Sequence, residues 1–320
     1  MINVAFVGNP NVGKTALINQ ISHASLKIGN WPGVTIEKKE VFFKIGNEDI
    51  KLIDLPGIYN LSINTPEERV SRDFLLNEKV DVIINVMDST SLEKNIYLTA
   101  LLKELGIPIV MALNFEDEFK RIGYKLDIER FQKQLGIPVV FTSGKSGNGV
   151  DKLMEKVVEI SKQTSSEYKQ HRLLFEKEIE SNIETLKNKL KNEKSYEKML
   201  KRYPLDWLVI KILENDTNVI ARIKNEFGIN LLDVGSLEKK NLEEHYGIDP
   251  EDALARARYG IVRGIISANL TRGTGNKFAL TDKIDKILLN KFFGGIAFLA
   301  IIYAVFVIVF DGSSPFIDWI

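Results

Sequence analysis

The sequence predicts an α/β domain, a mostly parallel six-stranded sheet flanked by helices, followed by an all-α helical domain and one transmembrane helix. Three observations carry this expectation. Short apolar runs alternate with helical periodicity up to about Gly149. Beyond it the composition turns to Lys, Glu, Leu and Ile, with no glycine between Gly149 and Gly228. Near the end, FFGGIAFLAIIYAVFVIVF runs uncharged between Lys291 and Asp311.

The apolar runs are INVAFV, VTIEKKEVFF, DIKLID, VDVIINVM, IPIVMAL and IPVVFTS. Strands separated by helical stretches pair in parallel through crossovers. The second and third runs are joined by Gly46-Asn47, too short for a helix, so they form an antiparallel hairpin. Helices are expected at 151–163, 171–192, 205–214 and 251–269, the third opening on Pro204 with Trp207, Leu208 and Ile212 facing the core. The Lys/Glu runs between them read as solvated faces. The domain limits expected are 1–163 for the α/β domain, 164–272 for the helical domain, 273–290 for a linker, 291–311 for the span and 312–320 for the start of an extracytoplasmic segment.

At about 1.5 Å per residue the apolar run just covers a bilayer core of about 30 Å. Lys283, Lys286 and Lys291 precede it, and Asp311 and Asp318 follow. The positive-inside rule then places residues 1 to about 290 in the cytoplasm, on the inner face of the plasma membrane. Lys+Arg 43 balances Asp+Glu 43, which argues against nucleic acid as a partner. The absence of cysteine excludes disulfides and thiolate sites, and His23, His171 and His245 are too scattered for a metal cluster.

GNPNVGKT, Gly8 to Thr15, follows a strand and opens a helix, the context of a phosphate loop. Gly8 and Gly13 let the loop curl so that backbone N–H groups from Gly8, Asn9, Pro10, Asn11, Val12, Gly13 and on into Ala16 surround phosphate oxygens (proline supplying shape, not a donor). Lys14 reaches the β- and γ-phosphates and Thr15 ligates Mg²⁺. DLPG, from Asp54 through Leu55 and Pro56 to Gly57, ends the third run: the aspartate suits Mg²⁺ and the Gly57 N–H suits the γ-phosphate. NWPGVT lies between, with Gly33, Val34 and Thr35 as a nucleotide-sensing switch in which Thr35 joins the Mg²⁺ ligands. Trp31 reads equally as part of that switch or as a packing residue.

NFED starts at Asn114. Asp117 can accept from N1–H and N2–H₂ of guanine, a donor pair adenine lacks. Asn114 would tie this loop to the phosphate loop, and Thr142, Ser143 and Gly144 offer backbone N–H groups to guanine O6. Phe115 stands where a lysine usually lies along the base. These motifs predict an α/β P-loop GTPase domain binding GTP and GDP with Mg²⁺, in which Lys14, Thr35 and Gly57 serve hydrolysis.

Together GNPNVGKT, NWPGVT, DLPGIY, NVMDSTSLEKNIYLT and TDKIDKILLNKFFGG resemble the cytoplasmic half of the ferrous-iron transport protein B family. The resemblance implies a GTPase domain, a GDI-like helical domain and a polytopic membrane domain importing Fe²⁺. It also implies a non-lysine residue at the position of Phe115. Ile58 replaces the glutamine that orients water in Ras-like proteins, which implies slow intrinsic hydrolysis. Asn11 falls where related GTPases help bind K⁺, although a loop-stabilising amide is the other reading of that residue. The partners implied are the chain's own membrane region, further permease helices outside this chain, a small accessory iron-transport protein and another copy of the chain. A GTPase acting in ribosome or tRNA biology and a GTP-gated scaffold with negligible hydrolysis are the competing readings.

Overall fold

The computed structural model describes residues 1–21, 26–62, 65–163, 172–273 and 293–310. The strands in the first two-fifths of the chain are β1 (Ile2–Gly8), β2 (Leu26–Asn30), β3 (Glu37–Ile45), β4 (Glu48–Asp54), β5 (Val82–Asp88), β6 (Ile109–Asn114) and β7 (Lys125–Leu126). Two more follow, β8 (Val139–Phe141) and the distant β9 (Leu270–Thr271). Seven of them form one sheet in the order β2-β3-β4-β1-β5-β6-β8, and β7 pairs with β9 apart from it. β1 pairs in parallel with β4 and β5, and β5 with β6 and β6 with β8 likewise, while β3 is antiparallel to β2 and β4.

The main sheet thus has seven strands, not the six expected. The extra one, LKIGN, is an edge strand whose Ile28 is 63% exposed. Lys27 to Asn30 are exposed, so hydrophobic periodicity does not mark them; hydrogen bonding to β3 makes this stretch a strand. β3 also begins at Glu37 instead of Val34. Trp31 N donates to Ile36 O at 2.9 Å and Val34 N to Trp31 O at 3.3 Å, so Trp31 to Ile36 closes the tip of the β2–β3 hairpin.

Alternate residues of the strands feed two cores, as the pleat requires. Val4, Phe6, Leu52, Ile84 and Val110 pack beneath α1 (Lys14–Ile21) and α6 (Val150–Ser161). Ala5, Val7, Ile53, Ile83 and Met111 face the side of α3 (Leu92–Glu104) and α5 (Ile128–Leu135). That second core runs on without a break into Ile183, Trp207 and Leu208 of the helical region. Residues Met1–Lys120 and Tyr124–Thr271 form one compact unit, and Arg121–Gly123 group with the described residues from Arg272 onward.

The helical region contains α7 (Lys177–Asn192), α8 (Glu197–Arg202), α9 (Leu205–Leu213), α10 (Thr217–Phe227), α11 (Ser236–Tyr246) and α12 (Pro250–Asn269). Three of these, α8, α10 and α11, lie outside the expected helices. α10 carries both end signals: Asp216 accepts from Val219 N, and Gly228 closes it at φ 70°. It is one of several short helices whose stability comes from packing. α7 starts at Lys177, and residues 164–171 lie outside the described set.

Helix α12 is fastened to α3 by buried charge. Arg258 donates from Nε to Glu104 Oε1 at 2.7 Å and from an Nη to Glu214 Oε1 at 2.6 Å; Glu214 also takes Lys211 Nζ at 2.6 Å. Beside them the Tyr97 and Tyr259 rings stack 4.2 Å apart.

Within the expected membrane span lies α13 (Phe293–Phe310), 18 residues and about 27 Å long, with Ile296, Phe298, Leu299 and Tyr303 exposed. Among the described residues no helix is long and apolar enough to cross a membrane. The linker from 274 onward, including Lys283, Lys286 and Lys291, and the segment after Phe310 lie outside the described residues, as do His23 and His171.

Two outcomes test this packing. Arg258→Met leaves Glu104 buried without its partner and is expected to cost about 3–5 kcal/mol in urea unfolding; a loss below about 1 kcal/mol, the range of a surface pair, refutes the role. Lys103, also buried, donates to Leu135 O at 2.7 Å, and burial pushes its ammonium down to about 8. The unfolded lysine titrates near about 10.4, so between these values the unfolded chain holds more protons and stability rises with pH. Lys103→Met is expected to rise less than the wild type over that window, by up to about 3 kcal/mol; identical profiles would show the lysine is not desolvated.

Candidate nucleotide-binding site

The strands that carry the motifs end together. Phe6 is level with Asp54, Gly8 with Val86, and Asp88 with Asn114. Loops at the carboxyl ends of parallel strands therefore converge on one crevice, where α/β folds bind ligands.

β1 enters the phosphate loop at Gly8, where an added Cβ would lie 2.4 Å from Val86 O; a side chain there would part the sheet. The loop turns through Asn11 at φ 65° and Gly13 at φ 82°. Asparagine tolerates that left-handed geometry better than other side chains. Val12 is buried while Asn11, Thr15 and Ala16 are exposed at the crevice. Lys14 opens α1 and folds back so that Nζ donates to Gly8 O at 3.1 Å. Burial pushes its ammonium down to about 8, with Asp54 working the other way.

DLPGI runs along this loop. Leu55 N donates to Phe6 O at 3.0 Å and Ile58 N to Gly8 O at 3.2 Å. At Gly57 an added Cβ would sit 3.1 Å from Pro10 Cα and 3.3 Å from Lys14 Nζ, so the glycine lets the two loops touch. The Ile58 side chain is buried in the core. Asp54 Oδ1 is buried with no hydrogen-bond partner, and burial raises the carboxyl to about 6, offset in part by Lys14 and Lys39. The orphaned carboxylate oxygen of Asp54 and the exposed hydroxyl of Thr15 are hard oxygen donors of the kind that fits Mg²⁺. Among the described residues no group of three or more His, Cys, Asp or Glu could hold a metal, so phosphate and water would supply the remaining ligands.

The base-side loops lock onto the phosphate loop through one side chain. Asn114 is fully buried; its Nδ2 donates to Val12 O at 2.9 Å, and its Oδ1 accepts from Gly144 N at 2.9 Å. Gly13 must lack a side chain because a Cβ would meet Asn114 Nδ2 at 2.3 Å, and Gly144 because one would meet Ala16 Cβ at 2.9 Å. Phe115 takes φ 64°, and its ring Cζ lies 3.2 Å from where a Gly13 Cβ would be. The aromatic ring therefore rests on the phosphate loop. Exposed Asp117 accepts from Ser143 Oγ at 2.6 Å, and Thr142 continues the ladder, its N–H donating to Leu113 O at 2.8 Å.

The structure brings Gly8, Pro10, Lys14, Asp54 and Gly57 together, and Val12, Gly13, Ala16, Asn114, Phe115 and Gly144 together. Gly33, Val34 and Thr35 lie in the hairpin tip, with Thr35 exposed, and Asn9 of the phosphate loop is buried. Trp31 packs: it is buried, meets Phe74 of α2 (Pro66–Asn77) edge-on at 5.4 Å, and has Lys38 Nζ 4.9 Å above its ring. Two further side chains support these loops: Ser89 Oγ donates to Asn114 O at 2.6 Å, and Asn9, within the phosphate-loop motif, donates from Nδ2 to Lys94 O at 3.4 Å. Ser89 carries no motif, and only its place after a strand end could have signalled it.

Residues 2–157 match the family model of ferrous iron transport protein B, and residues 175–271 that of the FeoB cytosolic helical domain. A fusion of Fe(2+) transport protein A with the Fe(2+) transporter FeoB from Porphyromonas gingivalis is 35% identical over 324 residues, covering 100% of this chain and 38% of that protein. The Fe(2+) transporter FeoB of Methanocaldococcus jannaschii is 34% identical over 320 residues, 98% of this chain and 45% of its own length. The chain thus spans less than half the length of these two relatives. A GDP-bound A143S mutant of the S. thermophilus FeoB G-domain is 32% identical with a TM-score of 0.73, covering 85% of this chain and all of that one. The apo cytosolic domain of the T. maritima FeoB iron transporter gives 33% and 0.71 over the same shares. The chain belongs to the ferrous iron transport protein B family.

Proposed function

We propose that residues 1–163 bind GTP and hydrolyse it slowly as the switch of a ferrous-iron membrane transporter, with residues 164–272 as its helical domain. The observation that carries the reading is Asn114, which joins the phosphate loop to the base-side loops in one crevice. The GDP-bound FeoB G-domain of S. thermophilus supports it.

In this reading the backbone of Gly8 to Ala16 holds the phosphates, with Lys14 leaving Gly8 O for the β- and γ-oxygens. Burial makes that lysine a strong partner, since a polyphosphate restores the charge stabilisation that water no longer gives. Asp117 and the Ser143–Gly144 backbone read guanine, and Phe115 lies along the base plane. Thr15, Thr35 and Asp54 would hold Mg²⁺, which when bound neutralises charge on the phosphates. Thr35 sits exposed on the hairpin tip, so in this reading the β2–β3 hairpin is the switch that answers to the nucleotide. Gly57 and switch backbone groups would hold the attacking water, because Ile58 is buried in the core. Asn11, exposed on the loop, would help hold K⁺.

Residues 291–311, of which α13 is the described part, are proposed as the first membrane span on the exposed apolar side chains of α13, with residues 1 to about 290 on the cytoplasmic side of the plasma membrane. The remaining permease helices, a small accessory iron-transport protein and a second copy of the chain are the proposed partners. The fusion to transport protein A in the P. gingivalis relative supports the accessory protein.

Lys14→Ala is expected to weaken GTP and GDP binding at least about 100-fold by fluorescence titration, because the charge-assisted hydrogen bonds from its ammonium to the phosphate oxygens disappear; unchanged affinity refutes the phosphate site. Phosphate release from GTP is expected to run about tenfold faster in K⁺ than in Na⁺, the difference vanishing in Asn11→Ala. Equal rates in the two salts would dismiss the K⁺ role and leave the GTPase reading intact.

A further inference from the structure

The base-reading loop has a second anchor, far along the chain. Asp117 sits in α4 (Glu116–Arg121), a helix of six residues. So short a helix cannot hold its own direction and takes it from tertiary contacts. On the near side Glu116 N donates to Thr142 O at 3.1 Å and the Phe119 ring meets Phe141 at 5.0 Å. On the far side Phe119, buried, meets the Tyr124 ring edge-on at 5.8 Å, and Tyr124 N donates to Phe119 O at 3.2 Å.

Tyr124 leads into β7, which pairs antiparallel with β9, the strand that leaves α12. The pairing is extended at one end, where Asp127 N donates to Asn269 O at 3.0 Å. Asn269 is buried, and its Nδ2 donates to Gln134 Oε1 and Ile265 O. At the other end Gly123 and Gly273 lie backbone against backbone: a Cβ on Gly273 would be 2.2 Å from Gly123 O, and Gly123 itself takes φ 77°. Two facing glycines allow an approach that any side chain would part.

We infer that Asn269 to Gly273 is a positioning strap for guanine recognition, acting through Tyr124 and Phe119 to aim the Asp117 carboxylate at the base. The inference rests on the guanine reading above. It makes the grip on the base, as distinct from the phosphates, depend on the strand by which the chain leaves the helical region toward residues 274–320. An α4 tilted by loss of the strap keeps its phosphate loop but misdirects Asp117, so the 2-amino group of guanine stops contributing.

GDP and IDP separate the two effects, because inosine lacks that amino group. Affinities of the full chain for both are measured for the wild type and for Gly273→Val, Tyr124→Ala and Tyr124→Phe, with circular dichroism reporting folding. The preference for GDP over IDP is expected to fall about tenfold in Tyr124→Ala and Gly273→Val, the loss of one hydrogen bond to a charged group. IDP affinity is expected to fall too, since inosine keeps the N1–H that Asp117 accepts from, but about tenfold less than GDP affinity, and Tyr124→Phe, which keeps the ring, to retain the wild-type preference. An undiminished preference in folded Tyr124→Ala overturns the strap, as does an equal fall in Tyr124→Phe. A wild type that binds both nucleotides with no preference overturns the guanine reading instead.

Discussion

One buried amide holds the crevice together. Asn114 has no exposed surface, and its two polar ends are spent on Val12 O and Gly144 N. Both partners belong to loops, so nothing in regular secondary structure would otherwise hold them at a fixed separation. A polar side chain buried this deeply is tolerated only with its hydrogen bonds made. The glycines at 13 and 144 follow from it, since each clears the space the amide and its neighbours occupy. Phe115 follows too: with the backbone turned to φ 64° beside Asn114, its ring is delivered onto Gly13.

The crevice also stores an electrostatic imbalance. Lys14 is pushed down to about 8 and Asp54 up to about 6 by burial, although each favours the other's charge. Desolvation outweighs that attraction on both sides. Lys14 borrows a carbonyl from Gly8, while one oxygen of Asp54 has no donor to accept from. An anion for the first and a cation for the second would remove both costs at once.

Much of this was legible in the residues. The glycines, Lys14, Asp54 and Asn114 follow strands whose uninterrupted apolar character announces a parallel sheet, and the sheet alone brings their ends level. Edge strand β2 was illegible because exposed Ile28 and Gly29 carry no pattern. Helices α8 and α11 were hidden among lysines and glutamates that suit any solvated surface. The hydrogen bond from Ser143 to Asp117 and the pairing of β7 with β9 join residues 26 and about 145 positions apart, a separation no local signal spans. Arg258 was illegible for the same reason, since its value lies in Glu104 across the core.

Trp31 has an optical consequence. It is the one described tryptophan on the hairpin, its indole lodged against Phe74 and beneath Lys38, while Trp207 lies in the helical core beside Tyr203. If the tip leaves α2, the Trp31 indole passes from an apolar, cation-capped niche toward water. Emission from Trp31, read against a Trp31→Phe chain that keeps Trp207 and Trp319, is therefore a native gauge of hairpin position.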